Sequence, residues 1–160
     1  MKDDRHYRAK GNFLKRALAL PFMHLAWIAP HKSLRVLFHR GRGIDIGKNV
    51  EVGYFVMMGN VHPQAIHIGD NSVVAANTVI LDHDNSYYYS RGGEVKYGDV
   101  HIGKNVFIGV GAVIMPGVTI GDGAIVGSLS FVNKDIPPYA IAAGNPVRIL
   151  RIDEPTDVTI

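Results

Sequence analysis

The chain of 160 residues contains no cysteine and carries little charge. Without cysteine it has neither a disulfide framework nor a thiol nucleophile, although this absence is compatible with any compartment. Charged residues make up 19% of the chain and the formal net charge is +3. This mildly basic balance does not favour binding to nucleic acid. The length is enough for one domain with a sizeable core.

The sequence also lacks an apolar run that could cross a bilayer. The best candidate, residues 17–30, is shorter than the roughly 20 apolar residues of a spanning helix. Basic residues precede it, as in a signal peptide: Arg5, Arg8, Lys10, Lys15 and Arg16. However, Pro21 and His24 interrupt the run, and no small-x-small cleavage site follows it. We therefore expect no secretory signal and a cytoplasmic location.

What the sequence does have is an aliphatic residue at every sixth position, in three blocks. The twelve positions are Ile46, Val52, Met58; Ile68, Val74, Ile80; and Ile102, Ile108, Ile114, Ile120, Val126, Val132. Glycine follows the aliphatic residue at eight of the twelve. A period of six fits neither a 3.6-residue helix nor strand alternation. It is typical of a hexapeptide β-helix, in which each repeat forms one short side of a coil.

The six-residue period divides the chain into three parts. We predict an all-β domain at residues 44–151, built as a parallel β-helix of about four coils. Residues 1–43 lack the period and are expected to form a short helical N-terminal segment. Residues 152–160 are a C-terminal tail.

The N-terminal segment is expected to contain short helices interrupted by Pro21 and Pro30. A further helix is predicted over residues 33–39, with Ser33 as its N-cap. The favoured role of this segment is to cover the open edge of the first coil. The alternative is a peripheral membrane or subunit contact through residues 13–30.

Two insertions interrupt the coils. Three hexads make one coil of about 18 residues, which is the spacing from Ile102 to Ile120. Ile46 and Ile68 are 22 residues apart, and Ile68 and Ile102 are 34 apart, so these coils carry insertions. Both insertions follow a third hexad, and they should leave the prism at the same corner, one coil apart. Insertions that cluster on one face of a solenoid usually mark its binding face.

Polar residues break the repeat at this same corner. The fifth hexad position is expected to be small or β-branched, and only His62 and Asp84 are large polar exceptions. His83 lies beside Asp84, just before the long insertion at residues 86–99. A histidine at such a junction can act as a general base, because imidazole titrates near neutral pH. The competing interpretation is a solvated histidine in a turn.

The C-terminal half of the domain resembles a known enzyme family. The repeat is followed by Lys134-Asp135-Ile136-Pro137-Pro138 and by Ala143-Gly144-Asn145-Pro146-Val147-Arg148. This combination is similar to hexapeptide acyltransferases, above all to maltose/galactoside O-acetyltransferases and to sugar O-acetyltransferases of surface-polysaccharide clusters. The resemblance implies a left-handed parallel β-helix, a homotrimer with active sites between subunits, and acetyl-CoA as co-substrate, with no metal required.

The resemblance also implies roles for individual residues. His83 falls at the position of the family's catalytic histidine. The positions that match the family's CoA contacts are Val110, Ser128, Asn133, Lys134, Arg148 and Arg151. Three of these are cations, which suits a 3′-phosphate and a pyrophosphate. The resemblance therefore predicts direct transfer of an acetyl group from CoA, with His83 as the base.

The acceptor is less well defined. Asn60, Asp82, Asp84 and Asn85 are candidate acceptor contacts because they lie near His83 in the predicted corner, as does His62. Asp84 stands where the family often has proline, which favours the polysaccharide-cluster branch. We expect a sugar or polysaccharide-precursor hydroxyl, with a sugar amine or a xenobiotic hydroxyl as alternatives.

Two other classes of protein fit parts of the pattern. γ-Class carbonic anhydrases share this β-helix and bind zinc, and His62 and His67 have the five-residue spacing of their paired ligands. The third histidine of that family has no counterpart in an earlier coil. His67 and His101 are predicted to stack about 5 Å apart on neighbouring coils. The second of these classes is a non-catalytic scaffold, which would not need the intact polar cluster around His83.

Overall fold

The computed structural model describes residues 13–154, with side chains from Leu20 onward. Part of the predicted N-terminal segment, including Arg5, Arg8 and Lys10, lies outside the described residues, as do residues 155–160 of the tail. Over the described range, no helix combines the length and the apolar character that crossing a membrane requires.

The N-terminal segment forms two helices, α1 (Phe13–Ile28) and α2 (Lys32–Gly41). The predicted break at Pro21 is wrong, because α1 continues through this residue. A proline inside a helix removes one backbone hydrogen bond. Packing against α2 supports α1 despite this loss, as in the edge-on contact of the Phe22 and Phe38 rings at 6.1 Å.

Helix α2 begins one residue earlier than predicted, and its N-cap differs. The N-cap is His31, not Ser33, and the His31 Nδ1 atom accepts a hydrogen bond from the Ser33 backbone N–H at 3.3 Å. The helix contacts the first two strands of the first coil, Asp45–Ile46 and Glu51–Val52. The segment therefore packs against the first coil, as the favoured interpretation expects.

The rest of the chain winds through three sheets, one for each side of a triangular coil. The first sheet contains β1 (Asp45–Ile46), β4 (Ile66–Ile68), β9 (Val100–Ile102) and β12 (Thr119–Ile120). The second contains β2 (Glu51–Val52), β5 (Val73–Val74), β10 (Phe107–Ile108), β13 (Ile125–Val126), β15 (Ala140–Ala143) and β16 (Arg148–Ile152). The third contains β3 (Met57–Met58), β6 (Val79–Ile80), β11 (Val113–Ile114) and β14 (Phe131–Val132). Within these three sheets, neighbouring strands are parallel except for β15 and β16.

The aliphatic repeat forms the core in the predicted register. All twelve repeat positions are buried, with relative exposures of 0–6%. Each residue stacks on its counterpart in the next coil, as Ile108 does on Val74 and Val126. Burial of one continuous apolar column is what makes short two-residue strands stable together.

The glycine that follows many repeat positions allows the coils to approach closely. At Gly109, an added Cβ would come within 2.5 Å of the Ser128 backbone nitrogen in the next coil. Real Cβ atoms do not come so close to backbone, so this corner accepts only glycine. The glycine pattern of the sequence therefore reflects coil spacing.

Both insertions leave the third sheet at the same edge, as predicted. The short one forms a 3₁₀ turn (Pro63–Ala65) after β3. The long one forms β7 (His83–Asp84), α3 (Ser86–Arg91) and β8 (Lys96–Tyr97), in which β7 and β8 pair antiparallel. Because β3 and β6 are neighbours in the sheet, the two insertions lie side by side.

Candidate active site

Asp82 follows β6 at the corner where the long insertion leaves the coil, and its side chain is 1% exposed. Its Oδ2 atom accepts hydrogen bonds from the backbone N–H groups of Val61 at 2.9 Å and His62 at 2.5 Å. Its Oδ1 atom accepts from His83 Nδ1 at 2.5 Å. The prediction that Asp82 contacts the acceptor needs correction, because a buried carboxylate engaged by three donors is not accessible to a substrate.

His83 begins β7, and its side chain remains 21% exposed. A carboxylate oxygen accepts hydrogen bonds and does not donate them, so this contact assigns Nδ1 of His83 as the donor. The lone pair then belongs to Nε2, the ring nitrogen left for a substrate. A buried carboxylate that orients an imidazole in this way is the arrangement used by general bases in acyl transfer.

The Tyr97 ring borders the imidazole and contacts a second ring, that of His62. Tyr97 pairs with His83 across β7 and β8, and their ring centroids are 6.1 Å apart. His62 is 8% exposed and meets the Tyr97 ring edge-on at 5.2 Å. His62 is therefore a buried part of the corner, in agreement with its position as a polar exception to the repeat.

Asp84 lies outside the coil, so the hexad count does not apply to it. It is half-buried in β7, and its Oδ1 atom accepts a hydrogen bond from the Ser86 backbone N–H at 2.8 Å. Hydrogen bonds from Ser86 lower the pKa of Asp84, helped by the nearby charges of Lys96 and His83. The polar residue that occupies the inner corner is Asp82, because the chain leaves the coil immediately after it.

The predicted site residues fall into two groups on opposite edges of the third sheet. Here one edge is formed by the carboxyl ends of its strands and the other by their amino ends. Asn60, Asp82, His83, Asp84 and Asn85 lie together at the edge that follows β3 and β6. Asn133 and Lys134 follow β14 at this same edge, two strands or about 10 Å from Asp82. Val110 and Ser128 follow β10 and β13, at the opposite edge.

The two arginines of the predicted CoA set lie on β16. Arg148 pairs with Ala143, which stacks above Gly127 at the edge that carries Ser128. Arg151 pairs with Ile141 further along the strand, and its Nε atom lies 2.9 Å from Asp153 Oδ1. Both side chains are exposed. Arg148 therefore joins the Val110 and Ser128 group, and Arg151 lies further from it.

Sequence reasoning missed a buried pair behind Asp82. Arg42 is 7% exposed, and its Nη2 atom donates to the carbonyl oxygens of Met58 at 3.1 Å and Gly59 at 3.0 Å. Its Nη1 atom lies 3.3 Å from His39 Nδ1, which must accept because guanidinium only donates. A charged residue between two glycines, directly before the first coil, was the only sequence signal for this pair.

The environment of this pair keeps His39 neutral. Burial, and then the charge of Arg42, lowers the pKa of His39 to about 3. Burial also lowers the pKa of Arg42, and the Asp82 carboxylate opposes this shift. Arg42 is therefore the charged partner, and it lies close enough to Asp82 for the two charges to interact.

The histidines of the zinc alternative do not form a metal site. Within residues 13–154, no three His, Cys, Asp or Glu side chains are placed to hold a metal ion. His67 and His101 stack with ring centroids 4.7 Å apart, close to the predicted 5 Å. His67 Nδ1 lies 3.2 Å from Asp45 Oδ2 on the outer face of the first sheet. The pair is thus a ladder on the face of a sheet, away from His62.

Known families match the repeat region. The model described as bacterial transferase hexapeptide (six repeats) matches residues 99–134, and hexapeptide repeat of succinyl-transferase matches residues 59–82. The galactoside O-acetyltransferase of Escherichia coli (strain K12) is 38% identical over 128 residues. These residues cover 79% of this chain and 60% of that protein, so the chain spans less than two thirds of the length of this relative.

Solved structures agree with the fold. A galactoside acetyltransferase in complex with coenzyme A has a TM-score of 0.65 and 28% identity, and the match covers 90% of this chain and 83% of that one. A maltose O-acetyltransferase from Clostridium difficile 630 has a TM-score of 0.64 and 26% identity, and the match covers 88% of each chain. The predicted left-handed parallel β-helix with a short helical N-terminal segment is confirmed.

Proposed function

Because the chain belongs to the hexapeptide-repeat acetyltransferase family, we propose that it is an acetyl-CoA-dependent O-acetyltransferase that acts on a hydroxyl of a sugar or polysaccharide precursor. The observation that carries this proposal is the hydrogen bond from His83 Nδ1 to the buried Asp82 carboxylate, at the corner where both insertions emerge. The names of the galactoside and maltose O-acetyltransferases support a sugar hydroxyl as the acceptor.

In the proposed mechanism, His83 Nε2 is the general base. It takes the proton of the acceptor hydroxyl while that oxygen attacks the carbonyl carbon of the acetyl thioester. A new C–O bond forms, and a backbone N–H of a facing coil stabilises the oxyanion. Collapse of this intermediate breaks the C–S bond. The imidazolium then returns its proton to the CoA thiolate, and the enzyme regains its starting state.

Asp82 supports this cycle in two ways. Its carboxylate holds Nδ1 protonated, which keeps the lone pair on Nε2, and it stabilises the imidazolium that forms after proton transfer. Direct transfer within one ternary complex needs no covalent enzyme intermediate, in line with a chain that has no cysteine. Holding both substrates in one cleft contributes to the rate through proximity.

The predicted CoA contacts fit the chemistry of the ligand. Lys134, Arg148 and Arg151 are exposed cations suited to the phosphate groups. The pantetheine arm would pass along the exposed corner of Val110 and Ser128, where close-packed glycines keep the backbone accessible. Asn133, next to Lys134, is exposed and offers an amide for further hydrogen bonds.

The division of the site residues supports a homotrimer with active sites between subunits. His83 lies at one edge of the third sheet, and Val110, Ser128 and Arg148 lie at the other. A single chain therefore does not bring the proposed base and these CoA contacts to one edge. In a cyclic trimer, one edge of each subunit can face the other edge of its neighbour, which unites the two groups.

The acceptor would bind at the lip of the long insertion. Asn60, Asp84 and Asn85 are the proposed polar contacts, since all three are at least partly exposed near His83. Helix α3 also exposes Tyr87, Tyr88 and Tyr89, whose rings can stack on the apolar face of a sugar. A sugar amine and a xenobiotic hydroxyl are the alternative acceptors.

Acetyl-CoA turnover against a panel of free sugars, nucleotide sugars and oligosaccharides tests the proposed function. We expect CoA release with at least one glycan hydroxyl. Calorimetric titration with acetyl-CoA separates an enzyme from a non-catalytic scaffold, which need not bind it. Failure to bind acetyl-CoA would reject the proposal, and turnover with sugar amines alone would reject O-acetylation.

Replacing His83 by alanine tests the base. We expect kcat to fall by about 10²-fold or more, with little change in affinity for CoA, because the base acts in the chemical step. His101→Ala is the matched control, since His101 lies in the ladder on the first sheet. Unchanged turnover in the His83 variant would exclude it as the base.

A further inference from the structure

The open edge of the first coil is capped by three arginines from the N-terminal segment, one for each side of the triangle. Arg40 donates to the Ile46 carbonyl on β1, and Arg35 donates to the Val52 carbonyl on β2. Arg42 donates to the Met58 carbonyl on β3. These strands have no preceding coil to pair with, so each arginine satisfies backbone acceptors that would otherwise lack a partner strand.

Arg42 differs from the other two in what lies beyond the carbonyl groups that it binds. After Met58 and Gly59, the chain turns and presents the N–H groups of Val61 and His62 to Asp82 Oδ2. The Gly59 α-carbon packs so closely on Asp82 that a Cβ at Gly59 would overlap the carboxylate. One short turn is therefore fixed by Arg42 on one side and holds Asp82 on the other.

Electrostatic interactions also connect Arg42, Asp82 and His83. The guanidinium is buried, and His39 beside it is neutral, so Arg42 carries the positive charge of this pair. The Asp82 carboxylate interacts with this charge and, on its other side, binds the imidazole of His83. The groups that face Asp82 are thus Arg42 from behind, the turn amides from the side and His83 in front.

We propose that Arg42 is a positioning residue for His83, which holds the Met58–His62 turn, and through it Asp82, in the geometry that keeps the Nε2 lone pair of His83 toward the acceptor. The proposal rests on the role of His83 as the base. It also links the N-terminal helices to catalysis, because Arg42 is the C-cap of α2.

Arg35 provides a matched control for this proposal. It is also 7% exposed, and its Nε and Nη1 atoms donate to the carbonyl groups of Val52 at 2.6 Å and Ala29 at 2.7 Å. It caps the same coil but is bonded to the second sheet, away from Asp82. The same two substitutions, to glutamine and to lysine, can therefore be made at both positions.

The first readout is kinetic. We expect Arg42→Gln to lower kcat about tenfold or more, with the KM for acetyl-CoA nearly unchanged, because small displacements of a catalytic group affect the chemical step. The acid limb of kcat/KM should move to higher pH, since loss of a positive charge beside the Asp82–His83 pair favours the protonated imidazole. Arg42→Lys keeps the charge but loses the planar guanidinium fork, whose two Nη atoms contact His39 and the turn carbonyl groups. We therefore expect kcat to recover in part and the acid limb to stay in place.

The second readout does not depend on activity. Nitrogen NMR of labelled histidine reports the tautomer and titration midpoint of His83. We expect the Nδ1–H tautomer in the wild type and both Arg35 variants, and a mixed tautomer with a raised midpoint in Arg42→Gln. This result would support positioning by Arg42 even if no acetyl acceptor were found, a case in which only the proposed function would fail.

Two outcomes would overturn the proposal. One is an Arg42→Gln protein whose kcat, acid limb and His83 spectrum match those of Arg35→Gln, because Arg42 would then only cap the coil edge. If Arg42→Gln does not fold, Arg42→Lys decides, and a kcat and tautomer equal to those of the wild type would reject positioning by the guanidinium fork.

Discussion

At the scale of single residues, the chemistry of the polar corner depends on which carboxylate contacts His83. Two carboxylates flank His83 in the sequence, and they serve different roles in the structure. Asp82 is buried and bonded to the imidazole, whereas Asp84 begins the long insertion by accepting from the Ser86 amide. The difference arises because the coil ends at Asp82, so that one carboxylate faces inward and the next lies in a hairpin.

Asp82→Asn tests whether this carboxylate selects the tautomer of His83. An asparagine oxygen can still accept from the Val61 and His62 amides, so the corner should fold. Its NH₂ group would then face Nδ1 and favour a proton on Nε2, which removes the base. We expect kcat to fall by about 10²-fold or more, with CoA affinity retained.

Asp122→Asn is the control for this substitution. Asp122 caps a corner in the same manner, as its Oδ1 atom accepts from the Lys104 backbone N–H at 2.8 Å. It has no histidine partner among the described contacts, so kcat should stay near that of the wild type. Equal kcat values for the two variants, measured at saturating substrates, would contradict a special role for Asp82.

The sequence was enough to locate this corner, but not to show which carboxylate lies inside it. The break of the repeat at His62, and the insertions after two third hexads, were enough to bring the polar residues together. The hexad count was wrong for Asp84, because a count cannot tell where the chain leaves the coil. Arg42 could not be identified from the sequence, because its side chain binds backbone carbonyl groups of Met58 and Gly59, and no sequence pattern indicates such contacts.

At the scale of elements, strands and helices were predictable to different degrees. Each strand pairs with a copy of its own pattern one coil away, so the register follows from the period, as for Val113 between Val79 and Phe131. The helices have no such template. Helix α1 runs through Pro21 because tertiary packing outweighs a local preference, and α2 is held by arginine contacts to the coil edge.

The docking of α2 should make stability depend on pH through His39. The pKa of His39 is lowered from 6.5 to about 3 by burial and by Arg42, so the unfolded chain binds a proton more readily than the folded one. Its contribution to stability is complete above pH 6.5 and is lost as the pH falls toward 3. Between pH 6.5 and 5 the loss should be about 2 kcal/mol.

Urea unfolding at pH 7 and pH 5 measures this effect. His39→Gln removes the titrating group, so its free energy of unfolding should change less between these two pH values than that of the wild type. The lowered pKa of Asp84 does not interfere, because its contribution is lost only as the pH falls below the usual range of a carboxyl group. A pH dependence that is the same in both proteins would show that His39 does not report α2 docking.

At the scale of the whole molecule, the triangular coil separates residues that the proposed reaction needs together. His83 and Lys134 lie at one edge of the third sheet, and Val110, Ser128 and Arg148 lie at the other. The sequence could place each residue at its corner, because the period assigns corners. It could not show how two chains meet, since that depends on surfaces that have no repeat.

Mixed trimers provide a test of active sites shared between subunits. We propose His83→Ala at one edge and Ser128→Trp at the other, where an indole would fill the predicted pantetheine path. Each variant alone should be nearly inactive. Co-expressed with different tags, the two chains should form mixed trimers in which about one site in three combines an intact His83 edge with an intact Ser128 edge.

The control pairs His83→Ala with Lys134→Glu, because His83 and Lys134 share an edge and should come from the same subunit in every site. No interface in that mixture contains both residues intact, so activity should stay at the level of the single variants. Turnover of doubly tagged, purified trimers measures both mixtures under the same conditions. If the Ser128 mixture also stays inactive while mixed trimers form, each active site belongs to a single chain, and the interface model is wrong.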